Sequence, residues 1–324
     1  YVKTLDTRIT ELESSKDKNT YSSSAPNHDF IVPGAPIESD ATIVGNKYVA
    51  FRSGSDDLTT EAGRIYVYEY SNGFDHEKTN DKVIYHLWGH CNTVDYNPRN
   101  DCLILGNGSG AYNLKGKFYV IPDFSSFLEN GVYPIDAPCT FADANAIVYD
   151  CTEYDFGTKF NVIWGEDNQG RFDIAYLITA DYSEDGSVHL GDNGTIRRLQ
   201  LAKGSNEFTY GSIVSAQSDE FNGTFNICAT YTQDGTGYDE ANQGTCYANG
   251  KIMMCVGHDG YWAWNIWLDD NGNAIRYNQV KCASYASDGS VVGSNQANTT
   301  NICTDGKHIF IGQVNVGVMA IPIP

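Results

Sequence analysis

Positive charge is scarce in this sequence: 21 Lys and Arg stand against 41 Asp and Glu, a formal net charge of −20 at pH 7. No Lys/Arg cluster interrupts that excess, which argues against nucleic acid and anionic membrane as partners. Apolar runs are short too, and none approaches the roughly 18 consecutive residues of a membrane span, so no membrane insertion is expected. The nine cysteines contain no C-x-x-C pair and the seven histidines are scattered, so neither a metal site nor any other cofactor is expected. An odd cysteine count leaves at least one thiol unpaired or bonded to another chain. Most cysteines lie in or beside apolar strands, as at Cys102, Cys228, Cys255 and Cys303, where the residue acts as a small hydrophobe. A reducing site of assembly follows. Neither an initiator methionine nor a signal peptide opens the chain, so Tyr1 reads as the start of a fragment.

What is present is turn-rich and apolar in short pieces: 32 glycines, 22 tyrosines and 41% hydrophobic residues. One phrase recurs, running from a polar residue through a small apolar run and a turn into an apolar strand that ends at glycine. Its copies are Asp40 to Gly54, Asn92 to Gly106, Asn145 to Gly165, Gln243 to Gly257 and Asn298 to Gly312. Each closing glycine is followed by a polar loop and another apolar run, at Arg64 to Tyr70, Lys117 to Pro122, Arg171 to Ile178, Tyr261 to Leu268 and Val314 to Ile323. A unit of this kind cannot bury its faces alone and needs neighbours stacked on it. The repetition predicts an all-β fold, a five-bladed β-propeller. The third interval is the longest and holds outer-strand material at Thr195 to Ala202. It also holds two further runs, Thr209 to Gln217 and Thr224 to Thr232, read as a decorating hairpin or a degenerate sixth blade, so six blades is the alternative.

Residues 1–14 stand apart. Val2, Leu5, Ile9 and Leu12 fall at the a and d positions of two heptads, which predicts a short coiled-coil helix at the end of a stem. β-Branched residues at a with Leu at d lean toward two strands. Residues 15–28 are polar and serine-rich and read as a linker, leaving 29–324 for the propeller. Because the chain ends directly after the third strand of the last blade, residues near 29–36 are placed to complete that blade and close the ring.

Loop-end residues are the candidates for ligand contact: Trp88 and His90 before the second repeat, Tyr112 after it, and His258, Asp259 and Tyr261 after the fourth. The aromatic run Tyr261 to Trp267 reads mainly as core between neighbouring blades. No catalytic residue is assigned. His90 near Asp95 has no nucleophile signature beside it, and no G-x-S-x-G occurs. Two funnel carboxylates would suffice for glycoside hydrolysis, yet only Asp40 among the five opening residues is an acid; Asp95, Asp143 and Glu240 are further candidates.

The heptads, the stretch Gly89-His90-Cys91-Asn92-Thr93-Val94-Asp95-Tyr96-Asn97-Pro98 and the stretch Asn242-Gln243-Gly244-Thr245-Cys246-Tyr247 together resemble receptor-binding tail-fibre proteins of phages infecting Gram-positive bacteria, the staphylococcal siphophage type. The resemblance implies a coiled-coil stem, a five-bladed propeller and a homotrimer joined through the stem. It also implies attachment to a host cell-wall glycan or teichoic acid and partnership with other phage tail proteins. The virion tail would be assembled in the host cytoplasm and exposed on the particle. Cys91 and Thr93 depart from the family phrase, and no tower domains follow the propeller. On this reading the protein is not an enzyme. A propeller glycosidase or depolymerase is the alternative, and a structural baseplate module the third.

Overall fold

In the computed structural model, the described residues are 19–22, 30–33, 40–52, 54, 61–69, 82–91, 93–106, 116–150, 160–165, 174–180, 193–202, 212–216, 225–226, 242–256, 262–268, 274–281, 284–285, 291–292, 299–313 and 317–323. The heptads of residues 1–14 lie outside them. Within the span read as linker, Asn19–Ser22 form a strand, β1, and β2 follows at Phe30–Pro33.

Five sheets succeed one another along the chain. The first is β3 (Asp40–Val44), β4 (Lys47–Arg52), β5 (Gly63–Glu69) and β6 (Lys82–His86), in sequence order. The second is β7 (Thr93–Asn97), β8 (Cys102–Gly106), β9 (Lys117–Ile121) and β10 (Ile147–Asp150), with a helix, α1 (Phe124–Asn130), between its last two strands. The third holds β11 (Phe160–Trp164), β12 (Ile174–Ala180), β13 (Asn193–Ala202) and β14 (Ser212–Ala216), with β15 (Phe225–Asn226) on the far part of β13. The fourth is β16 (Asn242–Ala248), β17 (Lys251–Val256), β18 (Trp262–Leu268) and β19 (Ala274–Lys281), extended by β1, which runs parallel to β19. A two-stranded ribbon, β20 (Ser284–Tyr285) with β21 (Val291–Val292), precedes the fifth sheet. That sheet is β22 (Thr299–Thr304), β23 (His308–Gln313) and β24 (Gly317–Pro322), with β2 paired antiparallel to β24.

The first strand of each sheet packs beside the first strand of the next: β3 on β7, β7 on β11, β11 on β16, β16 on β22, and β22 on β3 again. Strand alternation explains the stacking, because successive side chains leave opposite faces of a sheet. In β4, Val49 and Phe51 join Leu103, Leu105, Tyr119 and Ile121 of the second sheet. The intervening Tyr48 and Ala50 join Cys303, Phe310, Val318 and Ala320 of the fifth. Cys102, Ile104, Phe118 and Val120, on the other face of the second sheet, pack on Val162, Ala175 and Leu177 of the third. Each fully buried Phe or Leu of this kind contributes roughly 1.5–3 kcal/mol.

Two sequence expectations are corrected. The third copy of the repeated phrase does not form one hairpin: Ile147–Asp150 pairs with β9 as the outermost strand of the second sheet, and Phe160–Trp164 opens the third. Ile174–Ala180 thereby forms the second strand and Asn193–Ala202 the third, and Ser212–Ala216, within the run read as half of a decorating hairpin or a degenerate sixth blade, pairs with that third strand as the fourth. The displacement traces to the insertion around α1. A seven-residue helix is too short to persist alone, and this one is held from outside. Asp101 accepts from the Ser125 amide (2.8 Å) and hydroxyl (2.6 Å) at its start, and Lys82 Nζ donates to the Leu128 and Glu129 carbonyls at its end. Phe124 and Leu128, four apart, bury the same face. The segment after it runs along β6, with Cys139 N–H donating to Tyr85 O and Leu87 N–H to Cys139 O, both at 2.8 Å. That contact covers the first sheet's outer edge.

Candidate functional site

The first strands of the sheets, β3, β7, β11, β16 and β22, are the inner strands, and side chains on them reach sideways to a neighbouring inner strand. Asp40 Oδ2 accepts from the Val94 amide at 2.8 Å and Thr42 Oγ1 from the Tyr96 amide at 3.1 Å. Asp95 Oδ2 accepts from the Trp164 amide at 2.8 Å. Asn161 Nδ2 donates to Thr245 Oγ1 at 2.8 Å. Between the fourth and fifth sheets the contact is backbone on backbone, since a Cβ on Gly244 would sit 2.9 Å from Ile302 N and 3.0 Å from Asn301 Cα. On these first strands Asp40, Thr93, Thr245 and Asn301 are buried.

Where the inner strands end, their turns surround a cavity of about 420 Å³. Its lining draws on all five sheets: Ile43 and Gly45; Asp95, Tyr96, Asn97, Pro98 and Arg99; Trp164 and Gly165; Tyr247, Ala248 and Asn249; Thr304, Asp305 and Gly306. The turns adopt left-handed backbone at Gly45 (φ 62°), Asn249 (φ 52°) and Gly306 (φ 85°). Asn97 and Asp305 hold two of them through side-chain bonds to the Arg99 amide and to the Lys307 and His308 amides. Of the aromatic residues at the cavity, Trp164 is buried in the core between the second and third sheets, and Tyr96 and Tyr247 are half-buried. Trp164 Nε1 donates to Cys102 O, the Tyr96 hydroxyl donates to Asp101, and Tyr247 stacks on Tyr176. Concave, part-apolar sites with a few oriented polar groups are the usual form of a small-ligand pocket, and this volume lies within their range of roughly 300–1,000 Å³.

Desolvation dominates the electrostatics. Burial pushes the Asp95 carboxyl up to about 7, against the opposing pull of two backbone donors, Trp164 and Tyr96. Burial raises Asp40 well above the carboxylate range as well, with Asp95 adding to it. Asp143 goes the other way: Thr140 donates to it twice and lowers it, and it sits exposed in a turn away from the cavity. Among the described residues no cluster of His, Cys, Asp and Glu could hold a metal ion.

Of the six predicted contact residues, Trp88 and His90 are among the described residues. Trp88 is fully buried, stacked with His86 at 5.1 Å and packed on Phe127 and Phe141, so it presents no surface to a ligand. His86 is held neutral, lowered to about 3 by burial. Its Nδ1 accepts from the Trp88 amide. His90 is half-buried in the turn before β7 and does not line the cavity, so it is not paired there with Asp95. Tyr112, His258, Asp259 and Tyr261 lie outside the described residues, as do Glu240 and the side chains of the aromatic strand Trp262–Leu268. Sequence reasoning missed Tyr96, Asn97, Arg99, Trp164, Tyr247 and Asn249 as a group. The available signal was that the turns inside the repeated phrase all fall at the same end of its strands.

No family model matches the sequence, and no curated protein matches it. Solved structures of similar arrangement include the tail fibre of Staphylococcus aureus phage P68, at TM-score 0.44 and 9% identity over 91% of this chain and 52% of that one. They include the PQQ-bound aldose sugar dehydrogenase of Streptomyces coelicolor, at 0.41 and 9% over 92% and 98%. A third is an engineered GH43 glycoside hydrolase, at 0.40 and 12% over 92% and 51%. The chain spans about half the length of the tail fibre and of the hydrolase, and 65% of a Bacteroides uniformis lactonase-type structure. These likenesses are of fold alone: a mostly β-strand chain with propeller-like neighbours. They correct one expectation, that the protein is not an enzyme. Most of these structures are enzymes, a lactonase-type protein, sugar dehydrogenases and a glycoside hydrolase among them, so the fold gives no ground for excluding catalysis.

Proposed function

We propose that the chain is a five-bladed β-propeller serving as the receptor-binding tip of a phage tail fibre, where it recognises a bacterial cell-surface glycan or teichoic acid during adsorption. The observation that carries the glycan reading is the cavity at the ends of the inner strands, where the half-buried Tyr96 and Tyr247 stand with the side-chain amides of Asn97 and Asn249. Aromatic faces take the apolar side of a sugar ring, and oriented amides meet its hydroxyls. The cyclic succession of inner strands supports the five-blade reading. The phrase around Gly89 to Pro98 supports the phage assignment. Residues 1–14 would join three copies, and three weak sites on one particle raise avidity without new contacts.

Fluorescently labelled protein incubated with a panel of Gram-positive bacteria, wall-polymer mutants included, tests this. Binding to a subset of strains that is lost in wall-polymer mutants is the expected result; an intact oligomer that binds none of them refutes it. Light scattering of the purified protein tests the trimer, and a monomer at all concentrations removes it.

A second reading, a glycan-cleaving enzyme, is favoured by one observation: the cavity carboxyl of Asp95 holds its proton to about pH 7, as a general acid must. Release of reducing ends from purified wall glycan, abolished by Asp95→Asn, would establish it.

A further inference from the structure

The stretch between the heptads and the first repeat is anchored on the rim of the ring of sheets. β1 is the outermost strand of the fourth sheet, parallel to β19, with Asn19 beside Tyr277 and Ser22 beside Val280. Chain length then limits where the heptads can end. Ser14, the last residue of the heptad segment, is five residues before Asn19, a span of at most about 18 Å at 3.3–3.6 Å per residue. From β1 to the inner strand β16 there are four strand steps, about 19 Å at 4.7–4.9 Å each, and the centre ringed by the inner strands lies further in. The heptads therefore end beside the fourth sheet and not over the centre of the ring. An axis relating copies joined through them runs along the heptads, and bodies that cannot overlap must stand around it. The part of each ring turned to its neighbours is then the rim that carries the tether.

Two elements at that rim have open backbone. β1 is paired on one side, to β19, and among the described residues no strand lies on its other side. β20 begins three residues after β19 ends at Lys281, and among the described strands it pairs with β21 alone. A row of open N–H and C=O groups is a template for another strand, and a two-stranded ribbon is marginal by itself in water. A second copy at this rim supplies what both lack.

We propose that the outer edge of the fourth sheet, together with the β20–β21 ribbon, is the surface through which copies of this chain meet. The proposal rests on the reading of residues 1–14 as the joint between copies, and it adds which side of each ring is turned inward. In the cyclic order of inner strands, the first and second sheets stand opposite the fourth. Their insertion, which exposes Val132 and Ile135, faces away from the other copies.

Photo-crosslinking of the full chain tests it. The photoreactive residue p-benzoylphenylalanine is placed singly at Thr20, Tyr21, Val291 or Val292, in neighbouring pairs because successive strand residues leave opposite faces, and at Ile135 as the control. Light scattering gives the oligomeric state of each protein before irradiation, and a denaturing gel then shows covalent dimers and larger species. At least one position of each pair should yield these species roughly tenfold above the Ile135 control, as an edge that meets a neighbouring chain requires. An oligomer that cross-links from Ile135 as strongly as from the rim, or from none of the four rim positions, overturns the proposal. A protein that stays monomeric at all concentrations overturns it together with the joint between copies. Its failure is separable from that of the attachment reading. A protein that cross-links at the rim and binds no bacteria refutes attachment only, whereas an oligomer that binds bacteria and cross-links from Ile135 alone refutes only this proposal.

Discussion

Asp40 accepts the amide hydrogen of Val94 from the neighbouring sheet at 2.8 Å, while its other oxygen accepts from Ala41 at 2.8 Å. A buried carboxyl is thus spent on joining two sheets. One sheet further on, Asp95 and the Trp164 amide repeat the relationship at the same distance. The inner strands of the first three sheets therefore interact through side chain to backbone bonds, because strands of adjacent sheets have no ladder of their own to share.

Removing that acceptor leaves the Val94 N–H buried and unpaired. Asp40→Ala is expected to cost about 1–3 kcal/mol, the usual penalty for an orphaned buried donor, whereas Asp40→Asn keeps an oxygen in place and should cost less. Scanning calorimetry of the two variants gives the order. Equal melting temperatures for Ala and wild type would show that the bond contributes nothing.

Asp95 predicts a pH dependence. Its folded carboxyl is raised from 3.8 to about 7, so the folded state holds a proton that the unfolded chain releases. Below pH 4 both states are protonated and the group costs nothing. Between pH 4 and 7 its contribution to stability falls, and above 7 it levels off at a loss of at most about 4 kcal/mol. Asp95→Asn should therefore gain stability relative to wild type as pH rises from 4 to 7, measured by urea denaturation at each pH. A wild-type-to-variant difference that is flat across this window contradicts the assignment.

The fourth and fifth sheets approach too closely for any side chain at position 244. Gly244→Ala would force β16 from β22 and is expected to destabilise by about 1–3 kcal/mol. Guanidinium denaturation measures it. The control is Gly250→Asn in the open β16–β17 turn, where a Cβ would meet nothing within 4 Å and Asn tolerates left-handed backbone; it should change little.

Among the described residues, Cys91, Cys102, Cys139, Cys246 and Cys303 are buried thiols outside any disulfide. Burial raises the thiol pKa of Cys91, Cys139, Cys246 and Cys303, that of Cys139 to about 12. None should react with iodoacetamide at pH 8 in the native protein, and all five should be labelled in denaturant, as peptide mass spectrometry would show. Rapid native labelling of Cys246 or Cys303 would mean that the inner strands open readily.

Four copies of the repeated phrase were legible as hairpins, because β3–β4, β7–β8, β16–β17 and β22–β23 each carry the alternation and the turn within one short stretch. The third copy was misread for a physical reason. A strand that ends at glycine looks the same in one dimension whether it is the first or second of its sheet, and only its partners distinguish the two. The helix insertion moved Ile147–Asp150 onto β9 and left Phe160–Trp164 to begin a sheet. The candidate site was less legible. Trp88 looks like a loop-end aromatic in the sequence, yet the insertion folds Phe127 and Phe141 over it.

The sequence by itself determined the strand content, the turn positions and the acidic, cation-poor surface, because alternation, glycine and asparagine at turns and net charge are local or additive properties. The tertiary structure alone decided which polar residues became struts between sheets and which turns became a cavity. Asp40 and Asp95 are both acids on inner strands, and only packing ties the first to Val94 and sets the second beside the cavity. Tyr96, Trp164 and Tyr247 are distant in sequence and line one cavity because the inner strands of the sheets end at the same place.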